Sequence, residues 1–397
     1  MKIMMVSSGF YPYEVGGVET FVSKLSKKLE NLDFEIVVII PSNKNLILNE
    51  KTIKIRYIKI REINGIENHF TKKINRLLHM YNIFNISLFK KIILEEDPNI
   101  VHIQMLRTFS YSIFEAIKSL NIPTIVTLHE HYSLWNFNPF KPLELCYEYK
   151  IPLICKILRT FQKKSTNFIK YITAPSENII NNYKLSGYYI NSESYVIRNA
   201  IPINNKELLK NFEVKKSILS KKKFRDFLYI GRLTSDKGID ILLDAFEMVD
   251  AKNIRLHIAG TGYLEEKIKK HSMLDKRIIY HGKVSGEEKN NLFFNCDVLI
   301  FPSGENETFG LVCLEAFSYA MPIIAFNIAA TRKFIENKGN GILIENDVYA
   351  LKKAIEKYIP FDSWKHQMQN CIETLNTYDF DKFSDKYVQL YNKLVKE

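Results

Sequence analysis

Short runs of valine, isoleucine and other apolar residues alternate with amphipathic stretches along the whole chain. Such runs are typical of strands buried in a parallel sheet, and the stretches between them have helical spacing. Thr20–Asn31, for example, places Val22, Leu25, Ser26 and Leu29 on one helical face. The alternation predicts repeated βαβ units and therefore an α/β fold with parallel sheets.

The pattern divides the chain into two similar halves. In the first half the predicted strands are Lys2–Ser7, Glu35–Pro41, Ile100–Gln104, Thr124–His129, Tyr171–Ala174 and Tyr195–Arg198. In the second half they are Asp226–Ile230, Arg255–Ala259, Ile278–His281, Val298–Phe301, Ile323–Phe326 and Gly341–Ile344. Ile53–Ile60 alternates apolar with charged side chains, which favours an exposed or edge strand.

The boundary between the halves is predicted within Asn199–Lys223, which is rich in lysine and has no sheet periodicity. We therefore expect domains at residues 1–200 and 201–378. The last stretch, 379–397, has a single apolar helical face, whose spacing does not show which domain it packs on. That face consists of Phe383, Tyr387, Leu390, Tyr391 and Leu394.

Composition narrows the class of protein. The chain has 397 residues, of which 46% are hydrophobic and 25% charged, as in ordinary globular proteins. Its 5 cysteines are odd in number and form no Cys-x-x-Cys pair, so we expect neither a disulfide framework nor a zinc ribbon, and a reducing compartment is favoured. We also expect no signal peptide and no membrane-spanning helix, since no apolar stretch approaches about 18 residues.

The charge is basic and uneven. The net charge is +12, and residues 1–200 hold 26 lysines and arginines against 17 acidic residues. A basic first half suggests an anionic partner such as membrane lipid, a phosphorylated acceptor or nucleic acid. The alternative is that lysine is simply common in this composition.

Two cations follow the strand Asp226–Ile230 in the loop GRLTSDKG. Parallel sheets bind ligands at the carboxyl ends of their strands, and Arg232 and Lys237 at such an end suit a diphosphate. Gly231 lets the chain leave the strand in a tight turn. A solvated loop with two unrelated cations is the alternative.

Two glutamates, Glu307 and Glu315, follow the strand Val298–Phe301 and lie eight residues apart. A helix starting near Thr308 would place Glu307 at its N-terminus and Glu315 about two turns later, among apolar residues. A carboxylate there needs polar partners, which sugar or ribose hydroxyl groups can supply. The alternative is a capping glutamate and an exposed helical one.

Glycine pairs mark two other strand ends. Gly16 and Gly17 precede the first predicted helix, and Gly260 and Gly262 follow the strand Arg255–Ala259. Glycine allows backbone amides to approach an anion closely, especially before a helix. An ordinary tight turn explains either pair equally well.

A histidine, His129, ends the predicted strand Thr124–His129. At that position its imidazole could face a diphosphate or a hydroxyl group that gives up a proton, and a structural role is the alternative. The other ligands that zinc requires do not occur at suitable spacing, so no metal site is expected.

GRLTSDKG, GTG and ENETFGLVCLEA, in this order and spacing, resemble the donor-binding half of the retaining glycosyltransferases of family 4. VGGVE near the N-terminus and TLHE at the fourth strand extend the resemblance over nearly the whole chain. It implies the GT-B architecture, in which two Rossmann-like doubly wound domains face a central cleft. Residues 1–200 would bind the acceptor, 201–378 the nucleotide sugar, and 379–397 would pack back on the first domain.

The resemblance also implies roles for the candidate residues. Arg232 and Lys237 would bind the donor diphosphate, Glu307 the sugar hydroxyls and Glu315 the ribose, while His129 would line the reaction centre. The other donor-binding residues would be Gly16, Gly17, Gly231, Gly260, Gly262, Val284, Thr308, Phe309, Gly310 and Leu311. The implied reaction is a retaining, hexosyltransferase-type transfer from a nucleotide diphosphate sugar to a glycan or lipid-linked acceptor, in cell-surface polysaccharide or glycolipid synthesis. No metal or other cofactor would be needed.

The sequence departs from the family pattern at two places. Lys333 stands where an acid is common after the strand Ile323–Phe326, and Asn199-Ala200 replaces an Asn-Gly signal. The first departure raises the alternative of a non-catalytic scaffold or binding subunit. A basic nucleic-acid-binding protein is a further alternative, but no recognition motif supports it.

Two amphipathic stretches carry cations beside an apolar stripe. The stripes consist of Phe70, Ile74, Leu77, Leu78 and Tyr81, and of Ile154, Ile157, Leu158 and Phe161. Basic amphipathic helices can lie on anionic membranes, although a helix packed on its own sheet has the same pattern. The expected location is cytoplasmic, with possible contact at the inner face of the cell membrane.

Overall fold

The structure is a computed structural model that describes residues 1–13, 17–60, 75, 77–106, 109–129, 152–201, 205–219, 221–305, 307, 309–335, 338–360, 362 and 364–396. The chain separates into two units, each with its own sheet and flanking helices. The first unit comprises Met1–Arg198 with Asp381–Glu397, and the second comprises Asn199–Phe380. These bounds differ by two residues from the bounds expected from the sequence.

The first unit contains an eight-stranded sheet. Its strands are β1 (Lys2–Val6), β2 (Glu35–Ser42), β3 (Leu46–Glu50), β4 (Ile53–Lys59), β5 (Ile100–Ile103), β6 (Thr124–Thr127), β7 (Tyr171–Ala174) and β8 (Glu193–Val196). Its helices before the second unit include α1 (Gly17–Glu30), α2 (Phe84–Glu96), α3 (Ile113–Ser119), α4 (Leu153–Thr166) and α5 (Glu177–Leu185). The strand order is β3-β4-β2-β1-β5-β6-β7-β8, and only the β3–β4 pair is antiparallel among the described pairs.

The prediction that Ile53–Ile60 forms an exposed or edge strand was wrong. Strand β4 lies between β2 and the unpredicted strand β3, which takes the edge position. Lys54 and Arg56, the charged residues of the alternating pattern, do not indicate a solvated face. Both donate to Glu96 at 2.7 Å, and that carboxylate is only 1% exposed. A buried ion cluster therefore produced the same pattern as an exposed face.

The second unit contains a six-stranded parallel sheet. Its strands are β9 (Arg225–Ile230), β10 (Ile254–Ala259), β11 (Ile278–Gly282), β12 (Val298–Phe301), β13 (Ile323–Phe326) and β14 (Gly341–Ile344), in the order β11-β10-β9-β12-β13-β14. Its helices include α6 (Asn205–Leu219), α7 (Ile239–Glu247), α8 (Glu265–Leu274), α9 (Gly286–Asn295), α10 (Leu311–Ser318), α11 (Ala329–Ile335), α12 (Val348–Lys357) and α13 (Gln367–Leu375). Apolar side chains from both faces of this sheet are buried under the helices.

The strand order of each sheet reverses beside the first strand of its unit. Strand β1 lies between β2 and β5, and strand β9 lies between β10 and β12. In an open parallel sheet such a switch point leaves a crevice at the carboxyl ends of the two central strands. The loops that follow β1 and β5, and those that follow β9 and β12, therefore occupy the positions where this type of sheet binds ligands.

The lysine-rich boundary stretch contains helix α6, which agrees with its lack of sheet periodicity. One of its lysines, Lys215, is fully buried and donates from Nζ to the carbonyl oxygen of Phe293 at 2.7 Å. Burial lowers the pKa of Lys215 to about 7, since an ammonium group loses solvation inside the protein. One lysine of this stretch is therefore part of the interior of the second unit.

The C-terminal helix, α14 (Phe380–Lys396), belongs to the first unit. All five residues of its predicted apolar face are at most 9% exposed. Tyr391 hydroxyl lies 2.6 Å from His102 Nδ1, and Lys28 pairs with Asp381 at 2.9 Å. The helix therefore packs on the first sheet through both apolar and polar contacts.

Candidate functional site

The loop after β9 contains the two cations that the sequence singled out. Arg232 is exposed, and Lys237 ends a short 3-10 helix at Ser235–Lys237. Gly238 follows with φ of +69°, and a Cβ atom there would lie 1.9 Å from the carbonyl oxygen of Pro302. Only glycine allows the loop after β9 to approach the loop after β12 this closely.

The loop after β12 places Glu307 against Lys237. The amide of Gly304 donates to the carbonyl oxygen of Asp236 at 3.1 Å, and the amide of Glu307 donates to that of Gly304 at 3.0 Å. Lys237 Nζ lies 2.9 Å from Glu307 Oε2, and the two side chains are 18% and 13% exposed. The switch point of the second sheet therefore carries a half-buried ion pair made by two predicted site residues.

The predicted start of the helix after β12 was wrong. Helix α10 begins at Leu311, and Gly310 precedes it with φ of +82°, a left-handed conformation that interrupts helical geometry. Glu307 therefore belongs to the loop, where its Oε1 accepts from the amide of Phe309 at 3.4 Å. Thr308 lies outside the described residues. The carboxylate of Glu307 is held by loop contacts and by Lys237, and it does not sit at a helix N-terminus.

Glu315 has a charged partner that the sequence gave no reason to expect. Both of its carboxylate oxygens accept from Lys289 Nζ, at 2.8 and 2.9 Å. Lys289 comes from helix α9, and the two side chains, of Lys289 and Glu315, are 31% and 28% exposed. The expectation that apolar residues surround Glu315 was incomplete, because spacing within one helix does not show what a neighbouring helix contributes.

Two buried residues, Cys313 and Tyr229, lie close enough to these charged side chains for the charges to change their pKa values. Burial raises the pKa of the Cys313 thiol well above its usual value, and the nearby charges of Glu307 and Glu315 raise it further. Burial also raises the pKa of Tyr229, as does Glu307, while Arg232 acts in the opposite direction. Glu307 therefore lies near both groups, with Glu315 close to the first and Arg232 close to the second.

Thr234 is a candidate site residue that the motifs did not single out. It lies between the two cations, and its Oγ1 is buried without a hydrogen-bond partner in the described part of the chain. A buried hydroxyl group normally has a partner, because leaving it unsatisfied costs about 1–3 kcal/mol. A ligand oxygen at this loop would supply that partner.

Close backbone packing accounts for the glycines after β10. A Cβ atom at Gly260, where φ is +140°, would lie 1.8 Å from the carbonyl oxygen of Gly231. One at Gly262 would lie 2.3 Å from that of Leu233. Both residues let the loop after β10 pack on the loop after β9, and ligand contact remains a prediction for them. At Gly231 itself a Cβ atom would meet only the Tyr229 side chain, whose hydroxyl lies at an ordinary 3.5 Å.

Two other predicted donor-binding residues have buried side chains. Val284 and Phe309 are 8% and 2% exposed, so their side chains offer little surface to a ligand. The Phe309 ring packs edge-on against Phe334, and Lys333 Nζ lies 5.8 Å from its centroid. Gly17 begins α1 and Leu311 begins α10, whereas Gly16 lies outside the described residues.

His129 belongs to the first unit and follows β6, which ends two residues earlier than predicted, at Thr127. Its side chain is buried, its ring packs edge-on against Phe21 at 5.1 Å, and its Nε2 lies 2.7 Å from Gln104 Oε1. Burial lowers the pKa of His129 to about 3, because a charged imidazole would lose its solvation. The imidazole is therefore neutral at physiological pH.

A second buried histidine, His102, connects this region to helix α14. Its Nδ1 lies 2.6 Å from the hydroxyl of Tyr391 and its Nε2 lies 2.7 Å from Thr127 Oγ1. Burial lowers the pKa of His102 to about 3, and the neighbouring His129 contributes to the decrease. The polar groups at the centre of the first unit thus form a neutral, buried network.

These two histidines predict that acid weakens the first unit. Their pKa is about 3 in the folded protein and near 6.5 in an unfolded chain, so the unfolded state binds more protons between these values. The stabilisation is complete above pH 6.5 and is lost as the pH falls toward 3, by up to about 1.4 kcal/mol per pH unit for each histidine. Urea unfolding of His102→Gln should show a shallower acid dependence than the wild type. The control His366→Gln, at a histidine outside this network, should match the wild type, and equal slopes in all three proteins would contradict the prediction.

Comparison with known proteins agrees with this architecture. Residues 15–205 match the family described as Glycosyltransferase Family 4, and residues 210–373 match Glycosyl transferases group 1. An uncharacterised glycosyltransferase of Methanocaldococcus jannaschii is 27% identical over 368 residues, which cover 90% of this chain and 88% of that protein. The O-antigen chain mannosyltransferase C of Escherichia coli is 30% identical over 187 residues, 43% of this chain and 47% of that protein.

Solved structures share the fold over the whole chain. The Anabaena protein HepE in complex with UDP-glucose has a TM-score of 0.68 at 14% sequence identity, covering 99% of this chain and 100% of that one. Its likeness in fold adds to the two family matches, which together span most of the sequence. The chain therefore belongs to glycosyltransferase family 4 and has the GT-B fold, with two Rossmann-like domains.

Proposed function

We propose that the protein transfers a hexose from a nucleotide diphosphate sugar, with retention of anomeric configuration, to a glycan or lipid-linked acceptor. The observation that carries this proposal is the Lys237–Glu307 ion pair beside Arg232 at the switch point of the second sheet. The similarity to an O-antigen mannosyltransferase supports a place in cell-surface polysaccharide or glycolipid synthesis. In this proposal the second unit binds the donor and the first unit binds the acceptor.

The cations of the β9 loop would stabilise the leaving group. Breaking the sugar–phosphate bond places negative charge on the diphosphate, and charges already held in position stabilise it without reorganisation. Lys237 is held by Glu307, and Arg232 lies two residues beyond the end of the strand. The buried Oγ1 of Thr234 and the backbone amides near Gly310 would add hydrogen bonds to the same anion.

The two carboxylates would orient the donor. Glu307 would accept from hydroxyl groups of the sugar and Glu315 from the ribose, since a carboxylate accepts well from neighbouring O–H groups. The Lys237 and Lys289 ion pairs restrict how each carboxylate can turn, which keeps its remaining lone pairs in fixed directions. Such positioning lowers the barrier because less freedom is lost on reaching the reactive geometry.

The acceptor hydroxyl would attack the anomeric carbon from the face that the diphosphate leaves, and its proton would pass to a phosphate oxygen. No covalent intermediate and no metal are part of the proposal, in agreement with what the family resemblance implies. His129 would line the reaction centre as a neutral imidazole, since burial holds its pKa low.

A thermal-shift and transfer assay over UDP-glucose, GDP-mannose and ADP-glucose tests the proposal. Because a ligand stabilises the native state by mass action, at least one nucleotide sugar should raise the melting temperature at concentrations above its Kd. Glu315→Gln should reduce that shift, whereas Glu356→Gln, at a partly exposed ion pair on α12, should leave it unchanged. No shift and no turnover with any donor would count against the proposal, and binding without turnover would favour a non-catalytic subunit.

We also propose that helix α4 contacts an anionic membrane. Within the described residues no helix has both the length and the apolar composition needed to span a bilayer. Helix α4 instead carries Ile154, Ile157 and Phe161, which are 43%, 45% and 50% exposed, on a helix with four lysines and arginines. Apolar side chains flanked by cations suit the boundary between lipid headgroups and acyl chains. Of the other predicted stripe, residues 61–74 lie outside the described part of the chain.

Vesicle co-sedimentation tests this contact. The protein should bind vesicles that contain phosphatidylglycerol and bind phosphatidylcholine vesicles weakly. Replacing both Ile157 and Phe161 by serine should weaken binding about tenfold or more, because each buried apolar side chain contributes roughly 1 kcal/mol or more. Leu185→Ser, which removes an 87% exposed leucine elsewhere in the same unit, is the matched control. Equal binding by all variants, or indifference to lipid charge, would contradict the proposal.

A further inference from the structure

Gln104 occupies the switch point of the first sheet. It follows β5 directly, and its amide donates to the carbonyl oxygen of Val6 at the end of β1, at 2.8 Å. Its side chain is 2% exposed and lies between the two buried histidines, His102 and His129. An amide group buried between two imidazole rings restricts which ring nitrogens can carry a proton.

The contacts of Gln104 define the protonation of His129. Gln104 Nε2 lies 3.1 Å from both ring nitrogens of His102, which places its N–H groups against that ring. Its Oε1 therefore faces His129 Nε2, at 2.7 Å. An amide oxygen only accepts, so His129 Nε2 must carry a proton. Because a neutral imidazole has a single N–H group, His129 Nδ1 is left with an unshared lone pair.

Within the described part of the chain, the hydrogen bond of the His129 ring is made by Nε2, and Nδ1 has no contact of this kind. The Nδ1 lone pair is therefore available to accept a hydrogen bond from a ligand. A lone pair on a neutral ring accepts from a hydroxyl group and does not attract a phosphate. The chemistry therefore points to a sugar hydroxyl.

We propose that Gln104 is a positioning residue that holds His129 in its Nε2-protonated tautomer, so that Nδ1 accepts a hydrogen bond from a hydroxyl group of a sugar substrate. The tautomer itself follows from contacts within the first unit. Only the identity of the molecule that carries this hydroxyl group rests on the proposed function. His102 and Tyr391 complete the chain of contacts, which links helix α14 to the orientation of Gln104.

Histidine-selective ¹⁵N NMR measures the tautomer without any substrate. In the wild type, His129 should show a proton on Nε2 and an unprotonated Nδ1 and should not titrate between about pH 5 and 8. Gln104→Met removes the acceptor and should give mixed tautomers or a changed Nδ1 signal. Gln104→Glu keeps an acceptor in the same shape, so the Nε2 proton should remain. The carboxylate should raise the pKa of His129 above the wild-type value.

Gln162→Met is the matched control. Gln162 is 6% exposed in the same unit, where it donates to the carbonyl oxygen of Met80 and accepts from Tyr188, both at 2.8 Å. Its loss should cost similar stability and leave the His129 signals unchanged. On any donor of the assay panel that is turned over, Gln104→Met should lower kcat/KM about tenfold, the effect of one lost hydrogen bond, and Gln162→Met by less than about twofold.

Several results would overturn the inference. These are a wild-type His129 with its proton on Nδ1, a Gln104→Met spectrum identical to the wild type, or equal turnover by Gln104→Met and Gln162→Met. Absence of turnover with every donor would count against the proposed function instead. The tautomer measurement would then still decide the role of Gln104, because it needs no substrate.

Discussion

Lys237→Met is expected to lower sugar transfer by about 10²–10³-fold, the usual cost of removing one group that stabilises charge in a transition state. The substitution removes the ammonium that lies 2.9 Å from the carboxylate of Glu307, whose side chain is 13% exposed. A carboxylate that has lost this ammonium would repel the leaving diphosphate. The measurement is steady-state transfer with the donor that gives the largest thermal shift.

The control for this prediction is Lys352→Met. Lys352 pairs with Glu356 at 2.6 Å on helix α12 of the same unit, with 27% of its side chain exposed. It should retain wild-type turnover, and both variants should remain folded by circular dichroism. Lys237→Arg should recover part of the activity because it restores the charge but not the shape. Transfer by folded Lys237→Met within about tenfold of the wild type would remove Lys237 from the proposed mechanism.

Gly260→Ala is expected to destabilise the second unit by more than about 4 kcal/mol, which only severe steric conflicts produce. A Cβ atom would lie 1.8 Å from the backbone oxygen of Gly231, and φ of +140° is already unfavourable for any other residue. Neither backbone can move without separating β9 from β10, whose strands pair along six residues. Urea unfolding of the second unit measures the loss.

Gly286→Ala separates the free-energy cost of a steric conflict from the cost of backbone strain. Gly286 has φ of +53°, and a Cβ atom added there would have no neighbouring atom within 4 Å. The expected cost is therefore only about 1–2 kcal/mol, the strain of a left-handed residue. If Gly260→Ala proved as mild as Gly286→Ala, close packing could not be the reason for glycine, and a ligand role for Gly260 would gain support.

Local patterns predicted the secondary structure well where burial alone decides it. Strands Tyr171–Ala174, Val298–Phe301 and Ile323–Phe326 have the predicted bounds, because short β-branched runs between helices have one stable arrangement in a parallel sheet. The prediction for strand β4 failed because the sequence pattern does not distinguish a charged side chain that faces water from one that faces the buried Glu96. The prediction for the start of α10 failed because the left-handed conformation of Gly310 depends on the folded loop and cannot be read from the sequence pattern.

The candidate site was predictable in part for a related reason. Motifs single out residues at strand ends, and parallel strands bring their ends together, so Lys237 and Glu307 could be expected to meet. Lys289 and Gln104 could not, because neither belongs to a motif. The partners of these two residues, Glu315 and His129, lie 26 and 25 positions away in sequence. Only packing shows such pairs.

The return of helix α14 to the first sheet has a consequence for biosynthesis. The ribosome synthesises Asn199–Phe380, the second unit, before it synthesises Asp381–Glu397, the segment that completes the first unit. Until then the hydroxyls of Tyr387 and Tyr391 are missing beside His102 and Thr127. The first unit, although most of it is translated first, should therefore complete its folding after the second unit.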